Sequence, residues 1–332
     1  MSKLRLAFLG FRHGHIQGLY KSAQQHPRVE VVAAVDEDAD AARVAGVAHG
    51  RYEDVFRHTP DLDAVAVGDY FGRRGEVIIR ALRYFTHVIA DKPICTSLAE
   101  LDEIRALATK QRLAVGCLLD LRDHGPYITM RRLIRDGAIG QVHTVTFTAQ
   151  HPLMLGKRAA WYFEEGKHGG TINDIGIHAI DLIPWLTGRT ITQVAAARAW
   201  NARLPQFPHF QDAAQVMLTL DNGGGVLGDL SYLAPDGVGY SGAQYWRVTC
   251  HGDAGVVETN YNATAVMLSA DSETKSIPAD SNNPTGCLDA FLNEIEGSQP
   301  GALTTAAVLD ATRRTLLIQQ AADENRTNVK LD

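Results

Sequence analysis

The segment from Gly169 to Asp181 contains the residues of this sequence that are best suited to acid–base chemistry. It begins with two glycines and continues with apolar residues at helical spacing, so it predicts a helix. At about 100° per residue, Asp174, His178 and Asp181 fall within an arc of roughly 60°. Histidine titrates near neutral pH, and a carboxylate one turn away can fix its tautomer. This helix face therefore predicts a proton-transfer site.

Each of these polar residues also has a purely structural interpretation. Thr171 and Asp174 have the spacing of a capping box, in which Asp174 would only serve the amides at the helix N-terminus. His178 is compatible with a hydrogen-bonded histidine of the core, and Asp181 with the partner of a nearby arginine. From this helix alone, the catalytic and structural interpretations both stay open.

The beginning of the chain has the order of a dinucleotide-binding unit. An apolar run over residues 4–9 ends at Gly10, and a turn, a helical segment and a second apolar run lead to Asp36. In such units the helix N-terminus receives the pyrophosphate, and the acid after the second strand bonds the adenosine ribose. The glycine fingerprint is incomplete, because Arg12 and His15 occupy the places of its second and third glycines. An ordinary βαβ unit is the alternative.

Strand and helix patterns go on alternating after this unit. A third apolar run ends before Gly68, a fourth ends before Asp91 and Lys92, and a fifth follows. The alternation predicts a doubly wound parallel sheet, a Rossmann domain over residues 1–120, whose ligands bind beyond the carboxyl ends of the strands. Lys92 is either a cation positioned at such an end or a solvated lysine, and Pro93 after it favours the first interpretation.

The pattern of residues 121–332 differs from that of the first part. Apolar and polar residues alternate in several runs, and residues 221–224 (Asp-Asn-Gly-Gly) are a strong hairpin-turn signal. This predicts an α+β domain with a large, mostly antiparallel sheet and a helix packed on one of its faces. The predicted fold class is therefore α/β, with an N-terminal doubly wound parallel sheet and a C-terminal α+β domain.

Three motifs together resemble the Gfo/Idh/MocA oxidoreductases, the family of glucose–fructose oxidoreductase and inositol 2-dehydrogenase. Asp-Lys-Pro at residues 91–93 stands where that family has Glu-Lys-Pro, and residues 169–181 resemble its motif G-G-x-x-x-D-x-G-x-H-x-x-D. Residues 136–142 match the family's entry into its second domain, so the resemblance spans nearly the whole chain. It implies a catalytic set that consists of Lys92, Asp174 and His178.

The pattern and the resemblance also predict which residues contact the ligands. The predicted cofactor contacts lie in the glycine turn and at the strand ends, and they are Gly10, Phe11, Arg12, His13, Asp36, Gly68, Asp69, Asp91 and Lys92. The predicted substrate contacts are Lys92, Arg122, Trp161, Asp174 and His178. Arg122 and Trp161 belong to them because the family often has an arginine after the fifth strand and an aromatic residue before the glycine pair.

The composition is that of a globular metabolic enzyme with two domains. The chain has 332 residues, of which 45% are hydrophobic, and a net charge of −6, which argues against nucleic-acid and membrane binding. It has no apolar run of ~18 residues and no signal-peptide pattern. Its four cysteines lack metal-ligand spacing. We therefore expect no metal, reduced thiols and a cytoplasmic location.

These patterns favour a dehydrogenase that transfers a hydride between NAD and a secondary alcohol of a sugar, cyclitol or related polyol. NAD is favoured over NADP because Asp36 would repel a 2′-phosphate, although Arg12 could favour one. The resemblance further implies a homodimer or homotetramer formed through the C-terminal sheet. One alternative is a redox-neutral, NAD-dependent enzyme resembling a glycosidase. Another is a non-catalytic regulator that senses dinucleotides, which would not need the three catalytic residues.

Overall fold

The computed structural model of this chain describes residues 3–298 and 303–331, which form two compact units. The first unit contains the residues up to Leu119, Gly166–Gly169 and Thr285–Arg313, and the second contains Asp120–Glu165, Gly170–Pro284 and the residues from Arg314 on. This arrangement differs from a single boundary at residue 120, because the later segments Gly166–Gly169 and Thr285–Arg313 belong to the first unit. The domain division into residues 1–120 and 121–332 stays a prediction.

Six parallel strands form the sheet of the first unit. Their bounds are Leu4–Leu9 (β1), Val29–Asp36 (β2), Ala48–His49 (β3), Ala64–Val67 (β4), His87–Ala90 (β5) and Val115–Cys117 (β6). Their order is β3-β2-β1-β4-β5-β6, so the winding reverses between β1 and β4, where ligands bind in such sheets. The side chains of β4 are fully buried, as expected of a sheet covered on both faces. The predicted Rossmann fold is confirmed.

Six helices lie entirely within the described residues of the first unit. Their bounds are Gly14–Gln25 (α1), Ala39–Ala45 (α2), Tyr52–His58 (α3), Phe71–Arg83 (α4), Leu98–Gln111 (α5) and Gly286–Ile295 (α8). The helix α8 packs against β5 and β6, and its Phe291 is part of the core together with β1 and β4. A late segment of the sequence thus completes the core of the first unit.

Nine strands form the sheet of the second unit. Their bounds are Val142–Pro152 (β7), Ile191–Trp200 (β8), Ala213–Leu220 (β9), Gly225–Ala234 (β10), Arg247–Gly252 (β11), Gly255–Thr259 (β12), Ala265–Ala270 (β13), Glu273–Pro278 (β14) and Val329–Lys330 (β15). Their order is β14-β13-β12-β11-β7-β10-β9-β8-β15, and all neighbours are antiparallel except β7 and β10. The predicted large, mostly antiparallel sheet is therefore confirmed.

The helices of the second unit are Gly125–Arg135 (α6) and Ile177–Thr187 (α7), and Thr305–Asp323 (α9) contributes residues to both units. Short helical turns cover Asp120–Asp123 and Ala160–Phe163, and a π-helical turn covers Ile172–Gly176. The π turn and α7 pack against β10 and β7, so one face of the sheet is covered as predicted. No helix among the described residues is long and apolar enough to cross a membrane.

The opposite face of this sheet carries an apolar row, which polar residues interrupt between β10 and β13. Leu227 of β10 lies between Met217 of β9 and Thr146 of β7, and Met267 of β13 lies in a more distant strand. Leu227, Met217 and Met267 are 50%, 49% and 42% exposed. Side chains alternate between the faces of a strand, so this row is the outward counterpart of the buried face.

Candidate active site

The segment predicted to carry the acid–base residues begins with a constrained backbone. Gly170 has a φ of +97°, and a Cβ at this position would overlap the side-chain amide of Gln319, so the turn requires glycine. The π-helical turn Ile172–Gly176 follows and continues directly into α7. The residue spacing predicts a regular α-helix here, whereas the structure has a wider turn. Such turns are frequent at functional sites.

Gln319 of α9 closes the N-terminal end of this π turn. Its Oε1 accepts hydrogen bonds from the backbone N–H groups of Ile172, at 2.9 Å, and Asn173, at 3.2 Å. The first amides of a helix have no acceptor within the helix itself. A side chain from a distant part of the sequence therefore supplies the cap.

Asp174 has a contact that the capping-box interpretation does not include. Thr171, the other residue of that box, donates its hydroxyl to the carbonyl of Gln211. Asp174 is 3% exposed, and Tyr232 of β10 donates its phenol proton to the carboxylate. Burial, together with the charge of Asp174, raises the pKa of Tyr232 well above its ordinary value, so the phenol stays a donor at neutral pH. The sheet thereby orients this carboxylate.

His178 lies in the first turn of α7 among aromatic side chains. Its ring centre is 5.3 Å from that of Trp246, and the residue is 5% exposed. Its Nδ1 lies 4.0 Å from a carboxylate oxygen of Asp120. A nearby carboxylate stabilises the imidazolium that forms when histidine accepts a proton. The surroundings of His178 are therefore compatible with a general base.

Asp181, the third residue of the predicted face, pairs with Arg122. The Arg122 guanidinium donates from Nε, at 2.6 Å, and from Nη2 to the two carboxylate oxygens, and both side chains are nearly inaccessible. Burial raises the pKa of Asp181, and the charge of Arg122 opposes this shift. The geometry matches the interpretation of Asp181 as the partner of an arginine. That Arg122 contacts substrate stays a prediction.

Lys92 follows β5 in the first unit, and a buried arginine holds its backbone. Arg74 of α4 donates to the carbonyl groups of Asp69, at 2.7 Å, of Lys92, and of Pro93, at 3.3 Å. The ammonium of Lys92 lies 5.7 Å from the ring centre of Phe71, and Lys92 is 4% exposed. Lys92 is thus fixed at a carboxyl end of the parallel sheet, where the alternation predicts ligand-binding residues.

Asp91 connects this strand end to the glycine turn. Its carboxylate accepts hydrogen bonds from Arg74 at 3.1 Å and pairs with the Nδ1 atoms of His13 at 2.6 Å and His15 at 3.2 Å. Burial would raise the pKa of Asp91, but the charge of Arg74 and the contacts with the two histidines hold it well below its usual range. Burial lowers the pKa of His13 to about 4, so this ring is neutral at pH 7.

The ligating atoms of His13, His15 and Asp91 lie within 4.8 Å of one another, a spacing that a metal ion can use. Two observations favour hydrogen bonding instead. Arg74 already neutralises the carboxylate, and both histidine Nδ1 atoms face its oxygens at hydrogen-bonding distance. We therefore assign these residues to fixing the glycine turn on the end of β5.

The glycine turn itself, where the sequence predicts a pyrophosphate site, has a tightly constrained backbone. Gly10 has a φ of +88°, and a Cβ there would lie 2.7 Å from the backbone nitrogen of Asp69, so only glycine allows β1 and β4 to end this close together. The following helix α1 begins at Gly14, and among the described residues no side chain caps it and no acid lies in its first turn. Uncapped N-terminal amides fit an anionic group.

Asp36 lies at the end of β2, where a ribose-binding acid is predicted. It is fully buried, burial raises its pKa, and it accepts hydrogen bonds from the backbone N–H groups of Phe11, at 2.7 Å, and Asp38, at 2.8 Å. Arg12 lies 3.8 Å from Asp36 and 3.5 Å from Asp38. The guanidinium that could attract a 2′-phosphate is therefore paired with two acids.

The remaining predicted contacts also lie at defined places. Gly68 directly follows β4 and accepts a hydrogen bond from the Arg12 N–H at 2.9 Å, while Asp69 accepts one from the Tyr52 hydroxyl at 2.8 Å. Trp161 of the second unit is buried against Tyr162, with ring centres 4.2 Å apart. The structure thus gathers the cofactor residues around the strand ends of the first unit. Their contacts with a ligand stay predictions.

The sequence pattern does not predict the positioning roles of Tyr232 and Arg74. Tyr232 has a signal that could have found it, because it shares the inward alternation of Val226 and Leu230 along β10. Arg74 is a charge within the otherwise apolar buried face of α4. A charge at such a position requires polar partners, but the sequence does not say which backbone carbonyls provide them.

Both parts of the chain match known family models. Residues 4–117 match the model described as "Oxidoreductase family, NAD-binding Rossmann fold", and residues 127–258 match the model of the GFO/IDH/MocA C-terminal domain. This chain belongs to the Gfo/Idh/MocA family of oxidoreductases. The family resemblance predicted from the sequence motifs is confirmed.

Relatives of known name agree with this family. Inositol 2-dehydrogenase 2 of Saccharopolyspora erythraea is 30% identical over 220 residues, which are 63% of this chain and only 60% of that protein. Inositol 2-dehydrogenase of Rhizobium meliloti is 26% identical over 83% of this chain and 82% of its own length. The structure of an aldose-aldose oxidoreductase from Caulobacter crescentus superposes with a TM-score of 0.80 over 99% of both chains, at 23% identity. At this identity the structural likeness shows the fold alone.

Proposed function

We propose that this protein is an NAD-dependent dehydrogenase that oxidises a secondary alcohol of a sugar, cyclitol or related polyol. The observation that carries the proposal is the buried pair Asp174 and His178 at a π turn, with the carboxylate oriented by Tyr232. A helix cap does not explain Asp174, because Gln319 supplies the cap. The named relatives, two of which are inositol 2-dehydrogenases, support the class of substrate.

His178 accepts the hydroxyl proton as the alcohol is oxidised, with Asp120 close enough to stabilise the imidazolium. Lys92 donates a hydrogen bond to the substrate oxygen and stabilises the developing alkoxide. Asp174 orients His178 or binds a neighbouring hydroxyl. A bound nicotinamide supplies the hydride acceptor, and the chain supplies position and charge.

The first unit fits a dinucleotide. The first amides of α1 would hold the pyrophosphate, and the end of β2 with Asp36 would hold the adenosine ribose. Because Arg12 is paired with Asp36 and Asp38, a 2′-phosphate would have to compete with two carboxylates for it. We therefore propose NAD rather than NADP.

The apolar row Met217, Leu227 and Met267 supports a proposal about assembly. We infer that the protein forms a homodimer or homotetramer through this face of the nine-stranded sheet, because covering half-exposed apolar side chains removes them from water and stabilises the assembly. The four cysteines, three of them buried, are not joined in disulfides, which supports a cytoplasmic location.

A screen of NADH absorbance over sugars, inositols and sugar acids tests the activity. We expect NAD-dependent formation of NADH with at least one polyol. A nicotinamide cofactor that stays bound to the purified protein without exchange, with no net NADH formation, would instead indicate the redox-neutral alternative. Absence of both cofactor binding and turnover would contradict the proposal.

A further inference from the structure

The second unit places a cation close to the residues proposed for catalysis. Arg158 lies in the loop between β7 and the helical turn Ala160–Phe163, and it is half-buried. Its guanidinium carbon lies 4.6 Å from the ring centre of Tyr162 and 5.1 Å from that of Tyr232. Tyr232 is the residue whose hydroxyl binds Asp174. One phenol ring thus separates this guanidinium from the proposed catalytic carboxylate.

The contacts of Arg158 hold one edge of the guanidinium. Nε donates to the carbonyl of Leu153 at 2.8 Å, and Nη2 donates to the carbonyl of Pro152 at 2.9 Å. Two carbonyl acceptors and two aromatic faces fix the plane of the group. A guanidinium has five N–H donors, so these two bonds leave the Nη1 side of the fork for another acceptor.

The positive charge of Arg158 has no carboxylate partner in the part of the chain that the structure describes. No Asp or Glu oxygen of those residues lies within 4.0 Å of its guanidinium. By contrast, Arg122 of the same unit is neutralised by Asp181. Burial lowers the pKa of an arginine, but the tyrosines and Asp174 around Arg158 outweigh this and raise its pKa, so the group is always charged. A fixed, half-buried cation with an open fork is suited to an anion.

We propose that the Nη1 side of Arg158 binds a carboxylate of the substrate, and that the substrate is therefore an acid derivative of a sugar or polyol. This assignment rests on the proposed dehydrogenase function and specifies its substrate class. The planar fork matches a carboxylate in two parallel hydrogen bonds. A single guanidinium balances one negative charge, whereas a phosphate carries roughly two.

The surroundings fit the polyol part of such a substrate. The ring of His151 is flanked by Tyr232, Tyr245 and Trp246, with centres 6.2, 5.0 and 5.8 Å away, and Trp246 also contacts His178. Aromatic side chains combine an apolar face with a polar edge, and sugars present both kinds of surface. The second unit thus combines an aromatic lining, a fixed cation and the proposed base.

The test compares acids with their neutral counterparts. D-Glucuronate, D-galacturonate and D-gluconate are measured against D-glucose, D-galactose and D-sorbitol, both as substrates with NAD and as ligands in calorimetric titration of the NAD-loaded protein. We expect the preferred acid to exceed its neutral counterpart at least about 30-fold in kcat/KM or in affinity. In Arg158→Gln the ratio of kcat/KM for the acid to that for its neutral counterpart should fall to near one, mainly through a higher KM for the acid.

Arg131 offers a matched control. It also donates to a carbonyl, that of Trp185 at 3.0 Å, and its guanidinium stacks on the Trp185 ring at 4.4 Å. Arg131→Gln should preserve the preference for acids. If Arg158→Gln lowers the melting temperature much more than Arg131→Gln does, Arg158→Lys provides the second comparison. It keeps the charge, loses the bidentate fork, and should weaken binding of the acids partially.

The outcomes of these measurements distinguish a failure of the proposed carboxylate site at Arg158 from a failure of the proposed dehydrogenase function. Binding of an acid by the wild type but not by Arg158→Gln, without any turnover, would support the site and contradict the dehydrogenase. Turnover of neutral polyols with no preference for acids would support the dehydrogenase and overturn the site. Tighter binding of D-glucose 6-phosphate than of every acid would overturn the choice of a carboxylate, and binding of none of the acids would overturn the assignment altogether.

Discussion

At the scale of single residues, the structure gives each polar side chain of the predicted helix face a different partner. Tyr232 orients Asp174, Asp120 lies near His178, and Arg122 neutralises Asp181. The first two contacts show that Asp174 and His178, which are four residues apart in the sequence, each have a different neighbouring side chain. The third removes Asp181 from the set that can transfer protons. Asp174 therefore suits a positioning role, and His178 suits proton transfer.

Replacement of His178 or Lys92 by alanine tests the proposed chemistry. Each change should lower kcat roughly 10²- to 10⁴-fold, which is the usual range for a positioned acid or base. The two effects should combine less than additively, since both residues are proposed to act on one substrate oxygen. Steady-state kinetics of the single and double variants measure this.

His143 provides the control for these variants. It is an exposed histidine of the nine-stranded sheet, and its Nε2 lies 2.6 Å from a carboxylate oxygen of Asp253. His143→Ala should leave kcat unchanged. Near-normal turnover in His178→Ala, together with a much lower melting temperature, would show that His178 is only a core histidine.

Cofactor choice depends on the pairing of Arg12. We expect NAD to bind at least tenfold more tightly than NADP, or by ~1.4 kcal/mol. Asp38→Ser should narrow the difference, because it removes one of the two acids that hold Arg12, while serine can still cap α2 as Asp38 does through the Ala41 N–H. Calorimetric titration with both dinucleotides measures the ratio.

A nearby acid controls for the general loss of negative charge. Asp40 is exposed and pairs with Arg43. Asp40→Ser should leave the NAD preference unchanged, and equal or reversed affinities in the wild type would identify Arg12 as a phosphate-binding residue after all.

The sequence could predict which residue types do the chemistry, but not what surrounds them. The chemistry of His178 and Lys92 follows from their type and from motifs a few residues long. The partners Tyr232 and Arg74 lie 58 residues from Asp174 and 17 residues from Asp91. Such pairings are fixed by sheet register and helix packing, which a local pattern does not contain.

At the scale of elements, the cap of the π turn couples two distant segments. Gln319→Met removes the acceptor for the N–H groups of Ile172 and Asn173, and two buried donors lose their partner. This should cost on the order of 1–3 kcal/mol of unfolding free energy and should also lower kcat, because the turn carries Asp174. Chemical denaturation and steady-state kinetics measure the two effects.

Gln320, the next residue, is a suitable control, because its side-chain amide donates a hydrogen bond to Glu324 of the same helix. Gln320→Met should change stability by less than about 0.5 kcal/mol. Equal effects of the two substitutions would mean that the cap does not support the turn.

The bounds of elements with a strong apolar pattern could be predicted from the sequence, whereas elements without such a pattern could not be predicted. The spacing of Leu309, Leu316 and Ile318 predicts a last helix from about Thr304 to Asp323, and the helix is observed at Thr305–Asp323. The strand Glu273–Pro278 was not expected, because it is almost wholly exposed and lacks apolar alternation. The π turn was missed because residue spacing assumes 3.6 residues per turn throughout, and only the packing against α9 and β10 shows the departure.

At the scale of the whole molecule, the proposed assembly through the outer face of the nine-stranded sheet can be tested with charged substitutions. The double variant Met217→Lys/Leu227→Asp places charges on neighbouring strands of this face and should convert the oligomer to smaller species. Analytical ultracentrifugation measures this, and circular dichroism should show an unchanged fold.

A single apolar residue of the first unit gives the control. Val44 is 72% exposed, and Val44→Asp should leave the sedimentation coefficient unchanged. A wild type that sediments as a monomer would contradict the proposed assembly, and so would an oligomer that persists in the double variant.

The π turn also sets the direction around the helix axis in which the residues of α7 project. Deletion of Ile175 would allow the turn to close as an ordinary α-helical turn, in which Asp174 and His178 would be three residues and about 300° apart around the helix axis. The angle between these two side chains would then differ from the angle in the π turn, while α7 kept its length and composition. We expect such a shortened protein to fold, as judged by circular dichroism, and to lose activity as completely as His178→Ala. Between Asp174 and His178, the number of residues therefore matters as much as their identity.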